Sequence, residues 1–331
     1  MEVRGKNSAV LASCLLLSYL FLKGVFMGKV YRKQRIEGVT VPAIIKNGQY
    51  FWHNMAVYED GVVSCWEKTD LSEVPQKLAS GKISVSVPDG QGLSVFHCCY
   101  LNIESAKWNF DSKSYYNFIK QTVKNLNPEM ANIYKTTDRE KEKWKKHRVG
   151  FIADPMPFKL AGAMGYRIVN GSKMNIFLRE SGKITLTVLS CYEDATFSVD
   201  GLGEEYLTID DIERLFAEKT LCAAPKSGEN VTFGVLGTAK ITTNPDIAVS
   251  DKDKLEEIRN ASLAAQNKPD ALDRCRDAYF AYLVYPVDFY KEKLREAYEA
   301  VPEHQRCYLG DMDTRDSDYR RILYTDEKRE V

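Results

Sequence analysis

From about residue 40 onward the chain runs in short stretches of alternating apolar and polar residues, punctuated by glycine turns, which is the period-two pattern of half-buried strands. Lys46-Asn47-Gly48-Gln49-Tyr50 opens a β-rich run that ends at Tyr58-Glu59-Asp60-Gly61, and Val62 to Trp66 resumes as a second strand. The same layout returns at an offset of 134 from Glu180-Ser181-Gly182-Lys183-Ile184 to Tyr192-Glu193-Asp194-Ala195, followed by Thr196 to Val199. Leu71, Val74 and Leu78 then fall at helical spacing, and Ile209, Ile212 and Phe216 repeat that stripe at an offset of 138. The four extra residues fit the Gly201-Leu202-Gly203 loop.

After each short helix the pattern predicts a strand (Ile83 to Val87; Leu221 to Ala224), a Pro/Gly turn and another strand (Leu93 to Ile103; Val231 to Ile241). A longer helix closes both copies. The first carries Tyr115, Tyr116, Phe118, Ile119, Val123 and Leu126 and stops before Pro128; the second carries Leu255, Ile258 and Leu263 behind a cap at Ser250 or Asp251. The chain therefore reads as α+β, with two diverged copies of a ββαββ module in a mainly antiparallel sheet, spread over Thr40 to Gln266. Two copies indicate a duplication, since a solenoid needs at least about three repeats to stack. Two amphipathic helices broken at Pro286 follow, Ala271 to Tyr285 and Val287 to Ala300, and then a polar tail from Glu303. The expected divisions are 1–26, 27–135, a charged linker at 136–154, 155–267 and 268–331.

The first segment has two readings. Ala9 to Leu22 carries no charge and follows Arg4 and Lys6, which is the layout of a signal peptide or N-terminal anchor. It is short beside the roughly 20 residues of a membrane span. In the other reading translation starts at Met27, because Lys23-Gly24-Val25-Phe26 can be encoded by a purine-rich ribosome-binding sequence ahead of that methionine. The expected location is cytoplasmic in that case and membrane-anchored through Ala9 to Leu22 otherwise.

Composition narrows the chemistry. Among 331 residues, 46 basic and 46 acidic side chains leave a formal net charge of +0, so no overall field draws in nucleic acid or an anionic membrane. The eight cysteines show neither a CxxC pair nor the spacing of a disulfide scaffold and read as reduced, mostly buried thiols. No Walker loop, GxGxxG or GxSxG is present, and no cofactor is expected.

Tyr31-Arg32-Lys33-Gln34 with Ile36-Glu37-Gly38, Val57-Tyr58-Glu59-Asp60-Gly61-Val62-Val63, Leu126-Asn127-Pro128-Glu129-Met130, and Val301-Pro302-Glu303-His304 to Gly310-Asp311-Met312-Asp313 resemble an uncharacterised bacterial family, a domain of unknown function. The likeness spans nearly everything after Met27. It implies no catalytic residues.

Several local clusters invite a function. Asp311, Asp313 and Asp316 are the candidate metal ligands, since hard cations gather carboxylates, but Arg315, Asp316 and Ile322 break the EF-hand pattern. On a strand, His97 and Cys99 would share one face and Cys98 the other, leaving His53 to complete a zinc set; Thr187 stands at its repeat position. Glu59-Asp60 and Glu193-Asp194 read as hairpin turns ahead of acid/base pairs, although Ala195 in place of Gly61 argues against a shared turn. The basic run around Trp144 is diluted by Asp138, Glu140 and Glu142 and reads as a solvated connection, so no nucleic-acid partner is expected.

Nineteen tyrosines are the remaining oddity, and Tyr282, Tyr285, Phe289 and Tyr290 are the candidate contact with an unknown protein partner. The expected function is thus non-enzymatic binding or protein interaction, with an immunity or defence role as one form of it. The alternative is a metal-dependent enzyme built on the aspartate cluster with Glu303.

Overall fold

The computed structural model describes residues 36–147, 156–161, 167–203, 206–310 and 317–325. Ala9 to Leu22 and Met27 lie outside them. No described helix is long and apolar enough to cross a membrane.

Each copy starts from a long hairpin. β1 (Gly38–Asn47) and β2 (Gln49–Tyr58) pair over their whole length and reverse at Gly48, which takes φ +73°. Two short strands, β3 (Val62–Ser64) and β4 (Lys68–Asp70), extend β2 sideways and lead into α1 (Val74–Ala79). Then come β5 (Ile83–Ser84), β6 (Gly92–Val95), β7 (Cys99–Trp108), α2 (Ser112–Leu126) and α3 (Asp138–His147). The expected charged linker is thus helical over much of its length.

β8 (Phe158–Ala161) pairs with β9 (Arg167–Glu180), and the second copy runs on through β10 (Lys183–Tyr192), β11 (Phe197–Val199), α4 (Ile209–Ala217), β12 (Leu221–Cys222), β13 (Asn230–Thr232) and β14 (Gly237–Thr243) to α5 (Asp251–Ala265). The β9–β10 turn holds two residues, Ser181 and Gly182, where the first copy has only Gly48, so the repeat offset slips by one residue ahead of it.

Three details correct the sequence reading. Leu93 to Ile103 and Val231 to Ile241 are not single strands. Each reverses direction, the first at Phe96-His97-Cys98, where His97 takes φ +55°, and the second through a 3-10 turn at Gly234–Leu236. A single extended strand would carry its second half off the sheet, whereas the reversal lays β7 back along β6. Only two residues of each predicted strand before these hairpins, β5 and β12, pair at all.

The turn expected to differ is the same in both copies: Gly61 N donates to Tyr58 O at 2.9 Å, Ala195 N to Tyr192 O at 3.0 Å, and Ala195 accepts φ +63° where Gly61 has +78°. Asp60 and Asp194 serve these turns. Asp60 takes the Val62 N–H, and Asp194 takes Thr196 and the Lys159 ammonium.

The strands form one mixed sheet in the order β12-β9-β10-β13-β14-β7-β6-β2-β1-β5. Its two parallel pairings, β2 with β6 and β10 with β13, fall at equivalent places in the two copies. The order reads as a palindrome about β7 and β14, which pair antiparallel with Ile103 opposite Ile241, the residue that the repeat offset makes its own counterpart. The copies are therefore related by an approximate twofold through that pair. The sheet is curled enough to bring its far strands together, and Asn54 of β2 donates to Asn175 of β9 at 2.9 Å.

The main core lies inside this curl and takes residues from both copies, among them Ile44, Leu93, Ile103, Ile184, Phe233 and Ile241. α2 is held there by an amphipathic face of Tyr115, Ile119 and Val123. A second core gathers under α4 and α5. The C-terminal region has a third, in which α6 (Ala271–Val284) and α7 (Asp288–Glu299) pack as a hairpin broken at Pro286. The expected polar tail is folded: a 3-10 segment at Glu303–Tyr308 and α8 (Ser317–Tyr324) bury Leu309, Tyr319 and Leu323 against that hairpin.

The seam between the copies is tight at Gly237. Its φ is +149°, and a Cβ there would collide with the Lys107 carbonyl and come within 2.9 Å of Trp108 Cα. Gly237→Ala is expected to cost roughly 2 kcal/mol or more. Urea unfolding checks this, and an unchanged midpoint would show that the seam yields.

Candidate functional site

A cleft of about 700 Å³ opens between the two copies, within the size range of small-molecule sites. Phe51 and His53 on β2, Trp66 beyond β3 and Phe96 in the β6–β7 turn give it an aromatic wall. Ser172 to Asn175 of β9 face it from the second copy. Trp66 stands 4.9 Å from the Phe51 ring and edge-on to His53, with φ +63° turning its partly exposed side chain outward. Phe96 stacks on the His97 imidazole at 3.9 Å.

Charge enters the cleft through His97 and α5. Glu257 accepts from His97 Nδ1 at 2.6 Å through Oε1, and through Oε2 from the Lys254 ammonium at 2.9 Å and from His304 Nε2 at 3.2 Å. Lys254, with its side chain 0% exposed, also donates to the His97 carbonyl at 3.1 Å, so one ammonium fixes both the turn and the carboxylate. Tyr308 completes the array, its hydroxyl 3.1 Å from His97 Nε2. Burial by itself would raise the Glu257 carboxyl. The hydrogen bonds from His304 and His97 and the Lys254 charge outweigh it and hold the group well below the ordinary carboxylate range.

Three regions that are remote in sequence supply this cluster: the first copy's β6–β7 turn, the second copy's closing helix, and the C-terminal 3-10 segment. The helix position is informative. Counting from the caps Asp111 and Ser250, the fourth residue is Tyr115 on α2 and Lys254 on α5, both 0% exposed; the seventh is Phe118 and Glu257. Tyr115 sends its hydroxyl to the Pro42 carbonyl, and Phe118 packs against Phe110 and Tyr115. The two copies have the same helix at equivalent places, apolar with one hydroxyl at one pole and ionic at the other.

Of the residues singled out in the sequence, the structure brings His97 and His304 together, with ring centroids 5.2 Å apart. It separates His97 from the proposed cysteine partners. Because His97 sits in a reverse turn, it faces α5, while Cys98 and Cys99 are buried in the core. Burial raises the thiols of Cys98 and Cys99 and pushes those of Cys65, Cys191 and Cys222 up to about 11, so these cysteines are protonated structural residues. No disulfide joins the described cysteines. Asp311, Asp313 and Asp316 lie outside the described residues, while Glu303 is exposed.

At the α6–α7 tip, Tyr285 and Phe289 are exposed and Tyr290 is half-buried with its ring stacked on Tyr285 at 5.4 Å; Tyr282 packs instead against the C-terminal core. Lys254 and Glu257 escaped the sequence reading. The signal that would have found them is the comparison of the two closing helices from their caps, where an apolar pair in one copy faces an ionic pair in the other.

Removing one member of a buried ion pair strands the other. Lys254→Met is expected to lower stability by about 3–5 kcal/mol, and Lys254→Met combined with Glu257→Leu to recover most of the loss. Denaturant midpoints of the two variants decide it, and equal destabilisation of single and double variants would contradict the pairing.

The Domain of unknown function (DUF7638) matches residues 26–130 and again 161–268, which coincide with the two copies, and a second Domain of unknown function (DUF7639) matches 270–330. No curated protein and no solved structure matches the chain.

Proposed function

The chain belongs to the DUF7638 family, two copies of which cover most of its length, and on that premise we propose that it is a small-ligand-binding protein whose site is the cleft between the copies. The observation that carries the reading is the pairing of an aromatic wall, Phe51, Trp66 and Phe96, with the polar cluster of His97 and Glu257 in one cavity. An aromatic wall offers stacking to a planar ring, and a few fixed polar groups then orient the ring's edge. The class that fits is a heteroaromatic compound with donor groups on its rim. Binding is favoured over turnover because Glu257, the carboxylate among the described lining residues, already accepts from three donors and is not free to act as a base. An immunity or defence role is one setting in which such binding would serve, and the metal-dependent enzyme built on the aspartate cluster draws no support from the cleft.

Ligand-observed NMR with a set of heteroaromatic amines and acids tests the reading. Hits are expected to lose roughly tenfold in affinity on Trp66→Ala, the scale of one stacking contact. A set with no hits, or hits indifferent to Trp66, would remove the cleft as the site.

A second reading rests on the hairpin tip. Phe280, Leu283, Val284, Tyr285, Val287 and Phe289 are each more than half exposed within ten consecutive residues. A contiguous apolar patch of this kind marks a contact surface. Asp288, Lys291, Glu292 and Lys293 beside it alternate in sign, which suits an isologous contact with a second copy of the chain. Sedimentation velocity over a concentration series is expected to show a dimer that Phe289→Ser weakens; a monomer at all concentrations would exclude it.

A further inference from the structure

The same cluster has the composition of a metal site of a different kind from the carboxylate set sought in the tail. We propose that His97, Glu257 and His304 bind a divalent transition-metal ion of the zinc class, with an open coordination position facing the inter-copy cleft. One ligand atom from each of the three residues lies within 4.8 Å of the other two. Donors around a tetrahedral zinc at about 2.0–2.1 Å stand roughly 3.4 Å apart, so small side-chain adjustments close the set. Two imidazoles and one carboxylate select zinc, cobalt, nickel or iron over calcium or magnesium, which prefer oxygen. Three protein ligands leave a fourth position for an exchangeable group, and the cleft is the space into which it opens.

The surroundings give one of the two histidines the outer-shell partner that a ligating imidazole uses. Tyr308, 3.1 Å from His97 Nε2, can accept a hydrogen bond from an Nε2–H, the tautomer that leaves the Nδ1 lone pair free for the metal. His304 Nε2 donates to Glu257 in the protein alone, but Nδ1 is buried with no hydrogen-bond partner among the described residues, so the proton can shift to Nδ1 when a metal takes its place and Nε2 then presents its lone pair. In the protein alone, the Lys254 ammonium balances Glu257 from the Oε2 side. A dication added to that pair leaves the buried cluster with excess positive charge. The fourth ligand is therefore an anion, either hydroxide or the carboxylate or phosphate of a cleft ligand, and this goes beyond the stacking interaction of the binding reading.

The test titrates cobalt(II) into the full-length, chelator-treated protein. The expected result is one equivalent bound, with the visible absorption of four- or five-coordinate cobalt. His97→Ala and His304→Ala, checked for folding by circular dichroism, should each weaken binding by more than the roughly 10–100-fold typical of losing an outer-shell partner. Tyr308→Phe, which keeps all three ligands, should fall within that range and preserves the test if a histidine variant does not fold. No stoichiometric cobalt uptake by the unmodified protein overturns the proposal, as does uptake unaffected by all three substitutions. Heteroaromatic binding measured in chelator separates the two ideas: if it persists without cobalt uptake, the metal site alone is lost.

Discussion

Everything at the cleft depends on the antiparallel seam between β7 and β14. By pairing along it, each copy completes the other's sheet, and Ile103 and Ile241 meet at the point where the approximate twofold passes. The curl that follows carries the first copy's β6–β7 turn onto the second copy's β9, where Cys98 Sγ lies 3.3 Å from the Asn175 carbonyl. The equivalent contact at the other pole sets Gly234 against Pro42. A side chain placed in one copy's turn is thereby delivered to the neighbourhood of the other copy's strand and helix. His97 reaches Glu257 for this reason and not through any nearness in sequence.

The ionic pole is the costly one. A buried lysine and glutamate must each give up water, and a well-packed apolar pair of similar size would serve stability as well or better. The first copy shows that solution in place, with Tyr115 and Phe118 at the corresponding positions. Two members of one fold thus give an internal control: the helix does not need charge to pack, and the charge at Lys254 and Glu257 instead fixes the β6–β7 turn and the two histidines. The three donors around Glu257 keep it ionised and hold its orientation, which is the preorganisation a binding or metal site requires.

The repeat, the closing helices with the cap of the second, the break at Pro286 and the mostly buried cysteines were all legible in the sequence, because each rests on local periodicity or on a residue with one strong backbone preference. The hairpins at Phe96-His97-Cys98 and Gly234–Leu236 were not. Both strand halves are apolar and alternate in the same way, and a histidine in the left-handed region leaves no mark that distinguishes it from a strand residue. The folded tail was missed because its buried residues, Leu309, Tyr319 and Leu323, are widely spaced among charges. The site residues lay in plain view as individual histidines and an unremarkable helical Lys-x-x-Glu. Their meeting is a product of topology, which a single sequence does not display.

The palindromic strand order has a last consequence. Two separate identical chains about a true twofold must carry every substitution twice, so a polar pole in one would be a polar pole in both. Joined in one polypeptide, the copies are free to specialise: one pole can be kept apolar as scaffold while the other bears the energetic burden of buried charge. Among the described residues the charged cluster then occurs once per pair of folds, and the symmetry that builds the cleft is the same symmetry that its contents break.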